Sequence, residues 1–180
     1  MTKLKEEIER FKMGIFSLNT RRFGTLAELM IQLIYKLSDS KNLAFDKKDK
    51  QNKKIEIKFS RVMKENEERI KIENVISQAK NATIKNRMIK STDRATFDCN
   101  IQQIKTKEFD VLYYGLFFED KVLIYKIKSE SVKSIPGYSD KQHRGNVGEG
   151  QFHINDINIG MHKKYLDKIL TYEDLYEMFS

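Results

Sequence analysis

Several residue types are scarce in this 180-residue chain, and each scarcity excludes a class of protein. There is one cysteine, Cys99, which excludes an internal disulfide and any zinc site built from several cysteines. There is one proline, Pro136, and no proline-rich linker between domains. No apolar run approaches the length that spans a bilayer, and the first ten residues lack the apolar centre of a signal peptide. We expect a cytoplasmic protein of one domain that has no contact with a membrane.

Charged residues are abundant, and their distribution along the chain is uneven. The chain has 34 Lys and Arg against 26 Asp and Glu, which gives a net charge of +8. Residues 47–94 contain fifteen of the basic residues and seven of the acidic ones, whereas the rest of the chain is neutral. A surface of this charge attracts a polyanion such as DNA. A lysine-rich surface with no binding role is the alternative explanation.

Residues 43–61 have the pattern of a β-hairpin. Two short apolar runs, residues 43–45 and 55–59, bracket a polar stretch that is typical of an exposed turn. Alternate residues of a strand lie on opposite faces of the sheet. In the second run this alternation separates the apolar Ile55, Ile57 and Phe59 from Glu56, Lys58 and Ser60.

Two carboxylates and an amine are expected to meet at the edge of this hairpin. Asp46 closes the first strand, and the hairpin folds it back beside Glu56, while Lys58 shares a face with Glu56. Oxygen ligands of this kind suit Mg²⁺, which usually takes one or two protein carboxylates and accepts phosphate oxygens. Asp49 is a rival for the first ligand, but its place among turn-forming residues favours a role in the turn.

Asp46 and the triplet Glu56-Ile57-Lys58, with nine residues between them, resemble the PD-(D/E)xK motif of nucleases. The spacing is similar to that of small type II restriction endonucleases. The resemblance implies that Asp46 and Glu56 bind the catalytic Mg²⁺, that the carbonyl group of Ile57 adds a ligand, and that Lys58 orients or activates the attacking water. Phe45 stands where the motif has proline, a position that varies within the family. An E-x-K triplet also occurs by chance on strands with a solvated face.

The N-terminal 40 residues predict two amphipathic helices, over residues 2–16 and from Thr25 onward. The first suits either a dimer arm or a cover for the core. The apolar stripe of the second consists of Leu26, Leu29, Met30, Leu33, Ile34 and Leu37. Thr25 and Glu28 fit a capping box. The resemblance offers a second role for Glu28, because many of these nucleases carry a metal-binding acid on the helix before the motif.

The segment 62–107 has the weakest pattern, and its apolar residues predict a turn or strand that leads into a helix. These residues are Ile70, Ile72, Val75, Ile76 and Ala79. In nucleases of the resembling family, the segment after the catalytic strand offers side chains to DNA. The candidates here, with the end of that strand, are Ser60, Arg61, Asn81, Lys85 and Arg87. A solvated helix face is the alternative for each of them.

Two runs, residues 110–118 and 121–128, predict a central β-hairpin. The first strand is apolar on both faces, which predicts helices on each side of it. Its aromatic residues, Tyr113, Tyr114, Phe117 and Phe118, are expected in the core rather than as stacking platforms. Residues 156–180 predict two short helices, with Leu166, Ile169 and Leu170 on the core side of the first.

Residues 135–158 predict a mobile, glycine-rich loop that carries Arg144, followed by a strand over residues 151–155. Gln151, His153 and Asn155 share one face of this strand and are candidates for reading base edges. The wet face of an edge strand is the alternative. No Gly-Lys-Ser/Thr sequence follows the glycines, so we expect no nucleotide cofactor.

The combined patterns predict an α/β fold with a central mixed β-sheet of about five strands flanked by helices, which is like that of restriction endonucleases. One nuclease domain, residues 1–180, would consist of N-terminal helices (1–40), a catalytic core (41–128), and a DNA-recognition loop and strand with C-terminal helices (129–180).

The resemblance implies a Mg²⁺-dependent type II endonuclease that cleaves double-stranded DNA at specific sites. We expect a homodimer, because a two-fold dimer cuts both strands of a palindromic site. One alternative is a structure-selective resolvase or repair nuclease of the same fold. Another is a basic nucleic-acid-binding protein without catalytic activity.

Overall fold

A computed structural model describes residues 3–42, 44–64, 68–141 and 147–180, except for the side chain of Val147. The α-helices in these ranges are α1 (Lys3–Ser17), α2 (Thr20–Tyr35), α3 (Val75–Asn81), α4 (Ile84–Arg87), α5 (Ser129–Val132) and α6 (Tyr172–Phe179), and residues Ile159–Tyr165 form a 3-10 helix. The strands are β1 (Ser38–Asp39), β2 (Lys47–Lys48), β3 (Lys54–Arg61), β4 (Asp98–Ile104), β5 (Val111–Phe117), β6 (Val122–Lys128), β7 (Ser139–Lys141), β8 (Val147–Asn155) and β9 (Leu166–Leu170). None of the described helices has the length and apolar character needed to cross a bilayer.

The central sheet is mixed and has the strand order β1-β2-β3-β5-β6-β9. Strands β3 and β5 are parallel, and all other neighbours in this sheet are antiparallel. Every residue of β5 is buried, as its apolar pattern predicts. The structure therefore confirms an α/β fold with a central mixed sheet flanked by helices, although six strands rather than five form it.

Two apolar cores lie on opposite faces of the central sheet. Helices α1, α2 and α6 pack on one face, where Phe23, Met30 and Leu175 meet Ile55 and Ile57. A second sheet, with the order β4-β8-β7, covers the other face together with the short helix α5. The second face of β5 is therefore covered mainly by a sheet rather than by helices, because the inward residues of β4 and β8 are apolar and complete the second core.

Helix α2 begins earlier than predicted, at Thr20. The side chain of Asn19 caps it by accepting a hydrogen bond from the N–H group of Arg22 at 3.0 Å. The predicted capping box of Thr25 and Glu28 is therefore wrong, since both residues lie inside the helix. The buried face consists of Phe23, Ala27, Met30 and Ile31, whereas Leu29 and Leu33 of the predicted stripe are exposed.

The predicted helix around Leu166 is wrong, because residues Leu166–Leu170 form the edge strand β9. The strand pairs with β6 and supplies hydrogen-bond partners for backbone groups of that central strand. Leu166 and Ile169 are exposed rather than part of the core. The last predicted helix is confirmed as α6, with a capping box between Thr171 and Asp174.

The aromatic residues of the central hairpin are all buried, which confirms their place in the core. Cys99 is also buried, on β4, and burial raises the pKa of its thiol to about 11. A neutral thiol is a poor nucleophile, so Cys99 acts as a small apolar residue.

Gly115 lies at the centre of β5, where the neighbouring strands leave no room for a side chain. A Cβ atom there would overlap with the carbonyl oxygen of Leu123 and the ring of Phe59. We expect Gly115→Ala to lower the free energy of unfolding by about 1–3 kcal/mol because the core is overpacked. Gly24→Ala is the matched control. Its Cβ atom meets no heavy atom within 4 Å, and alanine should stabilise helix α2 by about 0.5–1 kcal/mol. Urea unfolding of both variants measures the two changes in the free energy of unfolding. A change in the same direction for both variants would contradict this packing.

Candidate active site

The hairpin that carries the motif is shorter than predicted. Its first strand, β2, pairs Lys47 with Ile55 and Lys48 with Lys54. The predicted strand over residues 43–45 is wrong for residues 44–45, which lie outside any strand, and residue 43 falls outside the described residues. The ring of Phe45 is buried in the core between the two sheets, so burial of this ring replaces strand pairing.

The turn of this hairpin is organised by Asp49. Its Oδ1 atom accepts hydrogen bonds from the N–H groups of Gln51 and Lys53, both at 2.9 Å. Asn52 completes the turn with a φ of 61°, in the left-handed region that asparagine tolerates. Asp49 is therefore a structural residue of the turn, as its sequence context predicts.

Asp46 binds the outer edge of β3 through its backbone and its side chain. Its N–H group donates to the carbonyl oxygen of Ile55 at 3.0 Å, and the N–H group of Ile57 donates to Asp46 Oδ2 at 2.7 Å. The N–H and carbonyl groups of one strand residue point to the same edge. The carbonyl group of Ile57 therefore faces the edge where Asp46 lies, beyond the end of β2.

Glu56 and Lys58 lie on the face of β3 opposite Ile55 and Ile57, which confirms the predicted alternation. Lys58 Nζ is 2.6 Å from Glu56 Oε1. Only 7% of Glu56 is exposed to solvent, and Lys58 is half-buried. The structure therefore joins the acid and the amine of the motif as a largely buried ion pair.

The charges of the site shift the pKa values of both members of this pair. Burial raises the pKa of Glu56 to about 7, and the charges of Asp46 and Glu108 add to the effect, while Lys58 opposes it. Burial lowers the pKa of Lys58, but the charges of Glu56, Asp46 and Glu28 outweigh it and raise that pKa overall. Lys58 is therefore protonated near neutral pH and suits an electrostatic role better than that of a general base.

Two further carboxylates lie within electrostatic reach of the pair. Glu28 of α2 has a pKa that is raised by burial and by Asp46, although Lys47 and Lys58 oppose the shift. Glu28 is therefore close enough to Asp46 and Lys58 for their charges to act on it. Glu108, in the loop before β5, also acts on Glu56. Its proximity has no signal in the sequence, because 51 intervening residues of the chain separate it from Glu56.

The site contains more carboxylates than amines. Glu28, Asp46 and Glu56 outnumber Lys47 and Lys58, so a divalent cation would reduce the repulsion among the carboxylates. Among the described residues, no group of three or more His, Cys, Asp or Glu side chains is arranged so that it could hold a metal ion by itself. Mg²⁺ needs only one or two carboxylates and keeps several waters. Asp46, Glu56 and the carbonyl group of Ile57 fit that requirement.

Arg61, a predicted DNA contact, has a structural role in the fold. Its Nη1 atom donates to the carbonyl oxygens of Phe16 and Leu18, both at 2.6 Å, and its guanidinium group lies 4.8 Å from the centre of the Phe23 ring. It therefore binds the C-terminal end of α1 and joins it to β3. Ser60 remains half-buried on the face of Glu56 and Lys58.

The other predicted DNA contacts of the segment after β3 are not brought to the site. Asn81 at the end of α3 and Lys85 on α4 are exposed. Arg87 is half-buried, and its Nη2 atom lies 3.5 Å from the carbonyl oxygen of Lys64. Arg144 lies outside the described residues.

The predicted base-reading residues lie on the outer face of the second sheet, on the side away from the central sheet. Strand β8 is the middle strand of that sheet rather than an edge. Gln151 Oε1 accepts a hydrogen bond from Asn100 Nδ2 at 3.1 Å, and His153 Nδ1 is 2.8 Å from Asp98 Oδ2. Sequence reasoning missed Asn100 and Asp98, because only the register of β4 against β8 brings them there.

Asn155 is committed to a turn. Its Oδ1 atom accepts hydrogen bonds from the N–H groups of Ile157 and Asn158, at 3.1 and 2.9 Å. An asparagine reads adenine with both its oxygen and its nitrogen, and this oxygen is already used. Gln151 Oε1 accepts one hydrogen bond from Asn100, whereas Asn155 Oδ1 accepts two from the backbone, so Gln151 keeps more capacity for a further hydrogen bond than Asn155.

The raised pKa of Glu56 predicts a pH-dependent effect of Glu56→Gln on stability, measured by thermal unfolding in a chelator. Between pH 4.5 and about 7 the unfolded chain loses the Glu56 proton while the folded protein keeps it. The folded protein therefore loses stability as the pH rises through this window, with no further loss above it. Glutamine cannot ionise, so the melting temperature of the variant relative to the wild type should rise from pH 4.5 to 7 and then level off. Glu130→Gln, at an exposed residue, is the control. A difference in melting temperature between Glu56→Gln and the wild type that does not change with pH would contradict the raised pKa of Glu56.

Comparison with known proteins assigns no family to this chain. No protein-family model matches it, and no curated protein matches it significantly in sequence. A function therefore has to be argued from the contacts, burial and charges of the site.

Proposed function

We propose that this protein is a Mg²⁺-dependent endonuclease that cleaves double-stranded DNA at specific sites, as type II restriction enzymes do. One observation carries the proposal. Asp46, Glu56 and Lys58 come from adjoining segments of one hairpin: Glu56 and Lys58 form an ion pair, and the charge of Asp46, which bonds to the intervening Ile57, acts on the pKa of both. A site that is negative inside a basic protein suits a cation that bridges carboxylates and a phosphate.

Three groups of the chain would hold the metal ion: the carboxylates of Asp46 and Glu56 and the carbonyl oxygen of Ile57. Glu28 is placed to contribute directly or through water. When bound, Mg²⁺ polarises the scissile phosphate and lowers the pKa of water. As the water oxygen forms a bond to phosphorus it gives up one proton to solvent, the bond to the 3′ oxygen breaks, and the leaving oxygen takes up a proton from solvent.

Lys58 stabilises charge in this mechanism. Its ammonium group is held by Glu56 and kept protonated by the surrounding carboxylates. From this position it can donate hydrogen bonds to the attacking water or to a phosphate oxygen, where negative charge grows in the transition state. Because it holds its proton, it does not act as the base that removes a proton from water.

The lysines of the hairpin support the approach of DNA to the site. Lys48 and Lys54 lie over the ring of Phe45, with their Nζ atoms 5.8 and 5.9 Å from its centre. Lys50 and Lys53 are exposed in the turn between the strands. These cations follow Asp46 in the chain and attract the phosphate backbone without selecting a sequence. Cleavage of both strands needs two sites, which supports a homodimer.

Substitution of the three central residues tests the chemistry. We expect Asp46→Asn, Glu56→Gln and Lys58→Met each to lower the rate of plasmid cleavage in Mg²⁺ by at least about 100-fold, because each removes a charge from the metal site or the transition state. Cleavage is measured on supercoiled plasmid DNA by gel electrophoresis, with binding measured separately in Ca²⁺.

Asp49→Asn is the matched control for these variants, since Asp49 belongs to the same hairpin and asparagine keeps the turn acceptor. It should cleave like the wild type. Discrete fragments of plasmid DNA would support a restriction enzyme, and cleavage of branched DNA alone would indicate a resolvase. Cleavage that persists in Glu56→Gln or in a chelator would contradict the proposal.

The hydrogen bonds on the outer face of the second sheet predict different effects for Gln151→Ala and Asn155→Ala. We expect Gln151→Ala to reduce discrimination between the preferred sequence and its single-base variants by about 1–3 kcal/mol. Asn155→Ala should lower the free energy of unfolding by about 1–3 kcal/mol instead, because two backbone N–H groups lose their acceptor. Binding titrations and urea unfolding separate the two effects. A uniform loss of affinity for all sequences in Gln151→Ala would indicate a backbone contact.

A further inference from the structure

The chain between β8 and β9 is held to the body of the protein by one buried side chain. Across residues 155–171 only His162 is buried, with 1% of its surface exposed. Ile159 and Tyr165, at the two ends of the 3-10 helix, are half-buried at the margin of the core. We call residues 156–165 the connecting segment. Its anchor is an ionisable residue, whereas aliphatic residues and phenylalanine are the usual choice for a fully buried position.

The ring of His162 lies among three aromatic rings. It is stacked on Phe152 of β8, with the ring centres 5.8 Å apart. Its contacts with Tyr114 of β5 and Tyr125 of β6 are edge-on, at 5.7 and 5.9 Å between ring centres. Tyr114 and Tyr125 are themselves stacked, 5.0 Å apart. The connecting segment therefore docks on an aromatic floor to which both sheets contribute.

The hydrogen bonds of His162 suit only its neutral form. Its Nδ1 atom is 3.0 Å from the hydroxyl oxygen of Tyr114. Its Nε2 atom is buried, and no described residue forms a hydrogen bond with it. A neutral imidazole leaves one nitrogen unpaired here, but an imidazolium carries an N–H group on both nitrogens. Protonation would therefore bury a positive charge and an N–H group without a partner, which is strongly unfavourable.

The titratable groups around the ring offer no negative charge. They are Tyr114 on β5, Tyr125 on β6, and Lys163, Lys164 and Tyr165 on the 3-10 helix itself. Burial raises the pKa of Tyr114, and that of Tyr125 to about 12, so both phenols are neutral in acid. Burial lowers the pKa of His162 to about 4, and the charge of Lys164 adds to this effect.

We propose that the connecting segment is a pH-sensitive flap, which docks on the aromatic floor through neutral His162 and is released when the imidazole is protonated. Release stays local, because β9 is held to β6 by backbone pairs that do not titrate. The candidate active site takes no part in it.

The direction of the pH effect follows from the pKa of His162 in the two positions. A released imidazole in water takes up a proton at its ordinary pKa of 6.5, whereas the docked ring does so only at about 4. The docked form therefore loses stability as the pH falls from 6.5 towards 4, and it keeps its full stability above 6.5. Histidine is the side chain best suited to such a switch.

Hydrogen exchange of the full chain, measured by mass spectrometry, reports release of the flap. The N–H group of Leu166, for example, is bonded to the carbonyl oxygen of Lys163 when the flap is docked. Exchange rates are first corrected for the intrinsic effect of pH. We then expect the protection of residues 159–166 to fall by at least about tenfold from pH 7 to pH 4.5, and that of β5 to fall by less.

His162→Phe keeps an aromatic ring on the floor but cannot take up a proton, so its flap should stay equally protected at pH 7 and pH 4.5. The double variant His162→Phe with Tyr114→Phe also removes the hydroxyl group that would lose its partner, and it should behave in the same way. His153→Gln is the matched control. His153 is the histidine of β8, with 43% of its side chain exposed, and its substitution should leave the pH dependence of the flap unchanged.

An NMR titration of the His162 ring in the wild type tests the proposal without a substitution at the site. We expect the ring to titrate well below pH 6.5, together with the loss of protection. A ring that titrates near 6.5 while the flap stays protected would overturn the proposal. So would a wild-type loss of protection in both phenylalanine variants, or an equal loss in the flap and in β5, which would mean that the whole protein unfolds.

Discussion

The hydrogen bond between the N–H group of Ile57 and the carboxylate of Asp46 is the contact on which the candidate site depends. Strand β2 pairs with β3 for only two residues, and the Asp46 side chain then takes the place of a main-chain partner. A longer β2 would have paired with Ile57 and closed this edge of the sheet. Because the pairing ends here, the carboxylate of Asp46 and the carbonyl group of Ile57 lie at the same edge of β3.

The charges at this edge oppose the stability of the folded protein. Glu56 is buried next to other carboxylates, and its raised pKa shows that its ionised form costs free energy, even with Lys58 at 2.6 Å. The fold tolerates this cost because β3 pairs with β5 along its whole length and β5 is buried on both faces. Unfavourable charge held by a rigid sheet is typical of sites that bind a cation or stabilise a transition state.

Polar and apolar side chains both have roles here that their residue types alone do not indicate. Arg61 and Asn155 resemble nucleic-acid contacts, but they bind the end of a helix and a turn. Ile72 and Ile76 resemble core residues, but they are exposed to solvent before and within α3. In each case the backbone groups or the missing neighbours around the side chain decide its role.

The sequence by itself determined the central hairpin, the two faces of β3, and the pairing of Glu56 with Lys58, because the alternation and apolar runs that specify them are local. It also determined that Asp49 belongs to a turn. Only the tertiary structure decided that Asp46 bonds to Ile57, that Glu28 and Glu108 act on Glu56, and that β9 is a strand. These features depend on contacts between residues far apart in the chain. Such contacts leave no pattern among neighbouring residues of the sequence.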